Sequence, residues 1–161
     1  MKKRKFFLII IACAILQVTV LDDFRFFWVK PDLLLICVVF STLYYDRKPS
    51  LFFSLAAGLL KDVLSQQVFG LNMLSFPLWS ILIMRLSNEI SLENKFVRMF
   101  LMCVVSFGQA ILGGIVKAYF CSPIPFGVFV RIVFISCLYT TLCFAIALET
   151  KWPAILKKNQ P

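Results

Sequence analysis

The sequence contains no histidine, and its 161 residues include only eight acidic ones against 17 basic ones. Without histidine, the chain lacks the commonest general base and the commonest metal ligand of proteins. Its six cysteines form no C-x-x-C pair, so zinc and redox motifs have no support, and we interpret the thiols as small apolar fillers. These absences argue against an enzyme and predict no catalytic residue, no cofactor and no metal site.

Glycine is also scarce, with six residues, and none of them builds a phosphate-binding loop. Gly108, Gly113 and Gly114 lie in the middle of an apolar run, and no Lys-Ser or Lys-Thr pair follows them. We expect these glycines to permit close contact between helices.

Apolar residues, in contrast, are abundant. They make up 61% of the chain, 18 of them are phenylalanine, and the mean hydropathy is +0.90. Soluble domains hold roughly 45–50% apolar residues, and a chain of this size has no interior large enough to hide the excess. The composition therefore predicts one integral membrane domain over residues 1–161.

Six apolar runs predict an all-α bundle of six transmembrane helices at residues 6–21, 33–45, 51–66, 69–84, 96–120 and 126–148. The second and third runs are short, so one partly spanning hairpin, and hence five spans, is the alternative. The residues between them, 46–50, predict a turn with Ser50 as the N-cap of the third helix. The polar segment from Arg85 to Lys95 predicts a loop. The N-terminus predicts an uncleaved first span, since Ala12-Cys13-Ala14 comes too early for a cleavage site.

The distribution of cations predicts the orientation of the bundle. With six spans and both termini in the cytoplasm, the inner side holds 12 of the 17 cations: Lys2, Lys3, Arg4, Lys5, Arg47, Lys48, Arg85, Lys95, Arg98, Lys151, Lys157 and Lys158. Short loops are where an excess of Lys and Arg marks the cytoplasmic side. The net charge of +9 therefore indicates a bacterial inner membrane and not nucleic acid, because no basic segment is interleaved with aromatics in a polar context.

The third run carries an unusual charged residue. Ser54, Gly58 and Asp62 follow one another at four-residue steps, which place them on one face of a helix where small residues allow close packing. Counted from Ser50, Asp62 lies ~18 Å into a membrane core of ~30 Å. Lys117 and Arg131 fall in the same outer half, so we expect Asp62 to pair with one of them and Lys61 to extend outward. Helix packing that ends in an interfacial acid is the simpler interpretation of the same pattern.

A small-molecule transporter subunit is a second functional interpretation of this composition. Such a pocket requires polar side chains that converge from several spans, and the polar residues Gln17, Gln66, Gln67, Asn72 and Gln109 look scattered in the sequence. The scatter favours a scaffold over a transporter.

Two segments resemble the rod shape-determining protein MreD family. Lys30-Pro31-Asp32 followed by three leucines is similar to the Pro-Asp or Pro-Asn start of that family's second span. Residues 54–65, with Gly58 and Asp62, followed by Gly70-Leu71, are similar to its G-x-x-x-G-x-x-x-D segment and the Gly-Leu after it. Ser54 stands where the family commonly has the first glycine, and the last two spans match only in hydropathy.

The resemblance implies a non-enzymatic membrane subunit of the bacterial cell-elongation machinery, with an MreC-type protein as partner and, through it, MreB, RodA and a penicillin-binding transpeptidase. It also implies a fold similar to the six-helix substrate-binding subunits of energy-coupling-factor transporters, in which Gly58 and Asp62 line a pocket that is either structural or binds a lipid-like ligand. The residues that the resemblance and the charge pattern mark are Pro31, Asp32, Ser54, Gly58, Asp62, Gly70, Lys117 and Arg131. Membrane lipid is the other expected partner.

Overall fold

The computed structural model describes residues 3–19, 31–64, 69–89, 94–120 and 125–149, and these residues form helices and no strand. The helices are α1 (Lys3–Thr19), α2 (Leu33–Tyr44), α3 (Arg47–Leu64), α4 (Leu71–Glu89), α5 (Lys95–Phe120) and α6 (Phe126–Glu149). The predicted all-α architecture is therefore confirmed. Two further features of the sequence lie outside the described residues. They are the segment 22–30, whose Phe and Trp residues suit a partner contact or an interfacial aromatic belt, and Cys121, which is expected in an external loop.

α2 lies at the centre of the bundle. It contacts each of the other five helices, and its residues from Leu34 to Thr42 are all buried. A helix that is apolar on every side is stable only where other helices surround it. With 12 residues it is about 18 Å long, shorter than the ~30 Å core of a membrane.

Two helix boundaries differ most from the sequence prediction. α3 begins at Arg47 and not at Ser50, because proline is tolerated in the first turn of a helix and Pro49 therefore does not delay its start. Ser50 is consequently buried inside α3, where its hydroxyl bonds Thr42 and Ser80. The segment predicted as a loop from Arg85 is helical as far as Glu89, since polar residues extend an exposed helix end at little cost.

α5 and α6 form the exposed side of the fold. Both are long and apolar enough to cross a membrane, yet only 33% and 22% of their most apolar segments are buried. α1, α2 and α4 contribute shorter apolar helices, over Phe6–Thr19, Leu33–Tyr44 and Leu71–Ser87. The predicted number of spans remains a prediction.

Candidate functional site

Asp62, near the end of α3, is the organising residue of the site. It is 3% exposed, and its two carboxylate oxygens accept four hydrogen bonds. Oδ2 accepts from the N–H groups of Gly70 and Met73 at 3.0 and 2.8 Å. Oδ1 accepts from the N–H and the Nδ2 of Asn72 at 3.1 and 2.7 Å. Asp62 thus satisfies the first N–H groups of α4, where a helix attracts negative charge.

The predicted pairing of Asp62 with Arg131 or Lys117 stays a prediction. The hydrogen bonds described at Asp62 come from the α3–α4 turn and the first residues of α4. Four N–H donors at one helix start stabilise a buried carboxylate. Arg131 lies exposed near the start of α6, and Lys117 lies half-buried near the end of α5; each has contacts of its own.

The glycines of the motif make this hydrogen bonding possible. A methyl group at Gly58 would lie 2.4 Å from the carbonyl oxygen of Asn72 and 2.9 Å from the Cα of Met73. Only glycine therefore lets α3 approach the backbone of α4 so closely. Gly70 has a φ of +97°, a left-handed conformation that glycine adopts without strain, and this turn directs its N–H at Asp62.

Ser54 completes the small-residue face of α3. It is fully buried one helical turn before Gly58, and its hydroxyl donates to the carbonyl of Leu51 at 2.9 Å. The Ser54 hydroxyl is thus hydrogen-bonded within its own helix. Close packing of this face is therefore retained although serine stands where the family commonly has glycine.

Lys61 and Asp32 form an ion pair beside this turn. The prediction that Lys61 extends outward is therefore wrong: its ammonium points inward and also lies 4.9 Å from the centre of the Phe76 ring. A carboxylate and an aromatic face together hold the cation inside the bundle, where lipid offers it neither.

Asp32 connects three helices. Its Oδ1 caps α2 by accepting from the N–H of Leu35 at 3.2 Å, and its own N–H donates to Thr140 Oγ1 of α6 at 3.3 Å. With the ion pair to Lys61 of α3, one residue fixes the start of α2 and the last turns of α3 against Thr140 inside α6. Pro31 is buried just before it, where its lack of an N–H costs nothing.

A polar chain extends from Asp62 into the bundle. The Oδ1 of Asn72 accepts from Gln109 Nε2, and Gln109 Oε1 accepts from Trp79 Nε1, both at 2.9 Å. Asn72 and Gln109 are buried, so each depends on the next for its hydrogen bonds. Asn72 and Gln109, which look scattered in the sequence, therefore meet between α4 and α5. Gln66 and Gln67 lie outside the described residues.

The polar chain forms part of the wall of a cavity of about 290 Å³. Every helix contributes to this wall. Its polar and charged members are Gln17, Asp32, Lys61, Asn72, Ser106, Gln109, Lys117 and Ser136, and apolar residues including Leu34, Leu64, Phe129 and Ile132 complete it. Gly58, Asp62 and Arg131 are not in the wall. This cavity is therefore not the pocket that the resemblance implied, whose lining included Gly58 and Asp62.

The glycines of α5 take two roles at this end. A methyl group at Gly108 or Gly114 would collide with the Trp79 or the Phe129 side chain, at 2.4 and 1.9 Å, so close packing is found at both. Gly113 lines the cavity, and a methyl group there would have no atom within 4 Å.

The polar side chains of the site are suited to helix packing and recognition. Asp62 is saturated with hydrogen bonds and Asp32 is paired, so neither carboxylate is poised as a general base. Within the described ranges, no group of three His, Cys, Asp or Glu residues is arranged to hold a metal. The Sγ atoms of Cys103 and Cys137 lie 3.4 Å apart as thiols at the α5–α6 contact.

Comparison with protein families finds one match over almost the whole chain. The family model for rod shape-determining protein MreD matches residues 2–148. Neither the comparison with curated proteins nor that with solved structures found a match.

Proposed function

The chain belongs to the rod shape-determining protein MreD family, and on that premise we propose that it is a non-enzymatic membrane subunit of the cell-elongation complex. In this role it scaffolds lateral peptidoglycan synthesis by packing its helices against partner proteins. The match over residues 2–148 carries the proposal. The engaged carboxylates of Asp32 and Asp62 support it, because they stabilise a bundle and offer no group for proton transfer.

The partner of this scaffold is an MreC-type protein, through which it reaches MreB, RodA and the penicillin-binding transpeptidase. The bundle lies in the bacterial inner membrane with six spans and both termini in the cytoplasm. The excess of cations on the proposed inner side supports this orientation.

The exposed face of α5 and α6 is the proposed contact with the MreC-type protein. We define the α5–α6 face as Val104, Phe107, Phe134 and Leu138, which are between 40% and 62% exposed. The rings of Phe107 and Phe134 meet edge to face, with 6.2 Å between their centres, so the face presents a preformed aromatic ridge. Rigid aromatic groups contribute strongly at interfaces because little side-chain entropy is lost on binding.

Depletion of the protein in rod-shaped cells tests the function, and co-purification with an MreC-type protein tests the partner. We expect depleted cells to become round and the tagged full-length chain to retain the partner in mild detergent. Rods of normal shape combined with a loss of vitamin uptake would contradict the scaffold and favour a transporter subunit.

A matched pair of substitutions tests the α5–α6 face. Leu138→Trp enlarges a residue of the face, whereas Leu78→Trp enlarges an α4 residue of similar exposure, 65% against 62%. We expect only Leu138→Trp to reduce co-purification and to round the cells, because lipid adjusts to a larger side chain and a fitted protein surface does not. Loss of the partner with Leu78→Trp alone would place the contact on α4 instead.

A further inference from the structure

Two cysteines face each other between α5 and α6. The Sγ atoms of Cys103 and Cys137 lie 3.4 Å apart, and both residues are free thiols. The Cys137 thiol also donates to the backbone carbonyl oxygen of Cys103, at 3.4 Å. One side chain of α6 therefore contacts both the sulfur and the backbone of a residue of α5, so the two helices lie close together at this point.

The distance that separates this thiol pair from a disulfide is small. A disulfide bond is about 2.05 Å long, so the two sulfurs must approach each other by ~1.4 Å. Rotation about the Cα–Cβ bonds of both cysteines supplies a movement of this size. The disulfide therefore requires little displacement of α5 or α6.

The two thiols differ in their access to an oxidant. Cys103 follows the first residue of α5, Lys95, by eight positions, which places it ~12 Å along the helix. An oxidant must therefore dissolve in the hydrocarbon of the membrane to reach it. Cys103 is partly exposed, whereas Cys137 is only 5% exposed. Such an oxidant meets Cys103 first.

We propose that Cys103 and Cys137 are an oxidation site, at which a lipid-soluble hydroperoxide produces a disulfide between α5 and α6. In the first step the Cys103 sulfur attacks the hydroperoxide. The O–O bond breaks, an S–O bond forms, and the thiol proton leaves with the alcohol product, so Cys103 becomes a sulfenic acid. In the second step the Cys137 sulfur attacks this sulfenic acid. The S–S bond forms, the S–O bond breaks, and the hydroxide takes the Cys137 proton and leaves as water. The two sulfurs together lose two electrons, which the hydroperoxide gains.

The surroundings of Cys137 favour the second step. The thiolate is the form of a cysteine that attacks another sulfur. The Ser106 hydroxyl is buried and contacts the Cys137 sulfur, so it is placed to donate to the negative charge that develops there. A sulfenic acid at Cys103 is within reach of this sulfur, so the disulfide forms before a second hydroperoxide reacts. Apolar surroundings keep thiols inert, so the pair stays reduced until hydroperoxide accumulates in the membrane.

The disulfide would lie directly beside the α5–α6 face. Val104 and Leu138 of this face each follow one cysteine of the pair in the sequence, and the rings of Phe107 and Phe134, which meet each other, lie one helical turn away. A covalent link between the helices holds the face in its present shape, and a preorganised surface loses less entropy on binding. Oxidation therefore strengthens the contact with the MreC-type protein, a consequence that rests on the proposed function.

The test of the site treats the full-length protein in lipid vesicles with cumene hydroperoxide. The remaining thiols are alkylated, and mass spectrometry of the peptides identifies each sulfur bond. We expect a Cys103–Cys137 disulfide within single chains, both in the wild type and in Cys143→Ser, the matched control that removes another thiol of α6. Oxidation of Cys13 or Cys143 while the pair stays reduced would overturn the proposal.

Two variants test the order of the steps. Cys137→Ser removes the thiol that attacks second, so we expect a sulfenic acid at Cys103 that dimedone traps. Cys103→Ser removes the thiol that is oxidised first, so Cys137 should stay reduced at the same dose. A Cys103 that passes to sulfinic acid in the wild type without forming the disulfide would contradict the proposed site.

Co-purification separates the oxidation site from its consequence. We expect the oxidised wild type to retain about threefold more MreC-type protein than the reduced wild type after washing, and Cys103→Ser to show no such gain. A disulfide that forms without this gain would overturn the strengthened contact but not the oxidation site. Failure of the reduced and the oxidised protein alike to bind the partner would contradict the proposed function and not the disulfide.

Discussion

The two ends of the bundle are closed in different ways. At the end proposed to face the cytoplasm, here the inner end, the hydroxyls of Thr42, Ser50 and Ser80 bond one another at 3.0–3.1 Å. The rings of Phe6, Tyr45 and Phe53 pack beside them, with centres 5.0–5.5 Å apart. At the opposite, outer end, the helices are joined by Asp32, Lys61 and Asp62 around a cavity.

The difference shows where the fold depends on single residues. At the inner end neutral hydroxyls share a small network and the packed rings exclude water, so the loss of one group leaves others in place. At the outer end each charged group bonds to several segments at once. Its loss therefore leaves the groups bonded to it without another hydrogen-bond partner. We therefore expect substitutions at the outer end to cost more than substitutions at the inner end.

Asp62→Ala is the substitution with the largest expected effect. It removes the acceptor of four hydrogen bonds and leaves buried N–H groups at the start of α4 unsatisfied, at about 1–3 kcal/mol for each group that finds no new partner. We expect a total loss of about 3–5 kcal/mol in the free energy of unfolding. Denaturant titration of the protein in detergent micelles, followed by circular dichroism, measures it.

Asp46→Ala is the matched control for this prediction. It removes a carboxylate from an exposed position in the α2–α3 connection, at the inner end. We expect a change within about 1 kcal/mol. Equal losses for Asp46→Ala and Asp62→Ala would remove the proposed difference between the two ends. Asp62→Asn, which keeps one acceptor oxygen, should lie between them.

Gly58→Ala is expected to have the next largest effect. Its methyl group would lie 2.4 Å from the Asn72 carbonyl oxygen, and backbone cannot rotate away as a side chain does. α3 and α4 must therefore separate, at a cost of about 1–3 kcal/mol. Thermal unfolding measures the loss, and Gly113→Ala, which meets no atom within 4 Å, is the control. A larger loss for Gly113→Ala would show that helix propensity, and not close approach, decides the result.

The sequence was informative about the helices and much less so about their polar contacts. Long apolar runs identify α5 and α6 to within one residue, because burial in lipid and helix formation both follow from local composition. The step of four from Ser54 to Asp62 indicates one face, and that face is buried in the structure. Helix periodicity therefore predicted which side of α3 packs.

The sequence did not predict the hydrogen-bond partners of the charged residues, and the reason is physical. From charge alone, an acidic residue in a membrane is expected to pair with a cation. The N–H groups at the start of α4 compete for the same carboxylate, and they lie closer along the chain. The pair of Lys61 with Asp32 and the bond of Gln109 to Asn72 join residues 29 and 37 positions apart. Such contacts depend on how helices are arranged, which no local pattern specifies.

Tyr45→Phe sharpens the comparison at the inner end, with the smallest expected effect and the opposite sign. The Tyr45 hydroxyl is buried and has no hydrogen-bond partner among the described residues, so the folded state bears a desolvation cost without a compensating bond. Its ring contacts with Phe6 and Phe53 persist in phenylalanine. We expect the free energy of unfolding to stay unchanged or to rise by up to about 1 kcal/mol, measured by the same titration.

Ser80→Ala is the control, because it removes a bonded hydroxyl from the neighbouring network and should destabilise the protein by about 1 kcal/mol. A clear loss of stability in Tyr45→Phe would mean that this hydroxyl forms a bond in the membrane, and the inner end would then depend on a single polar residue as the outer end does.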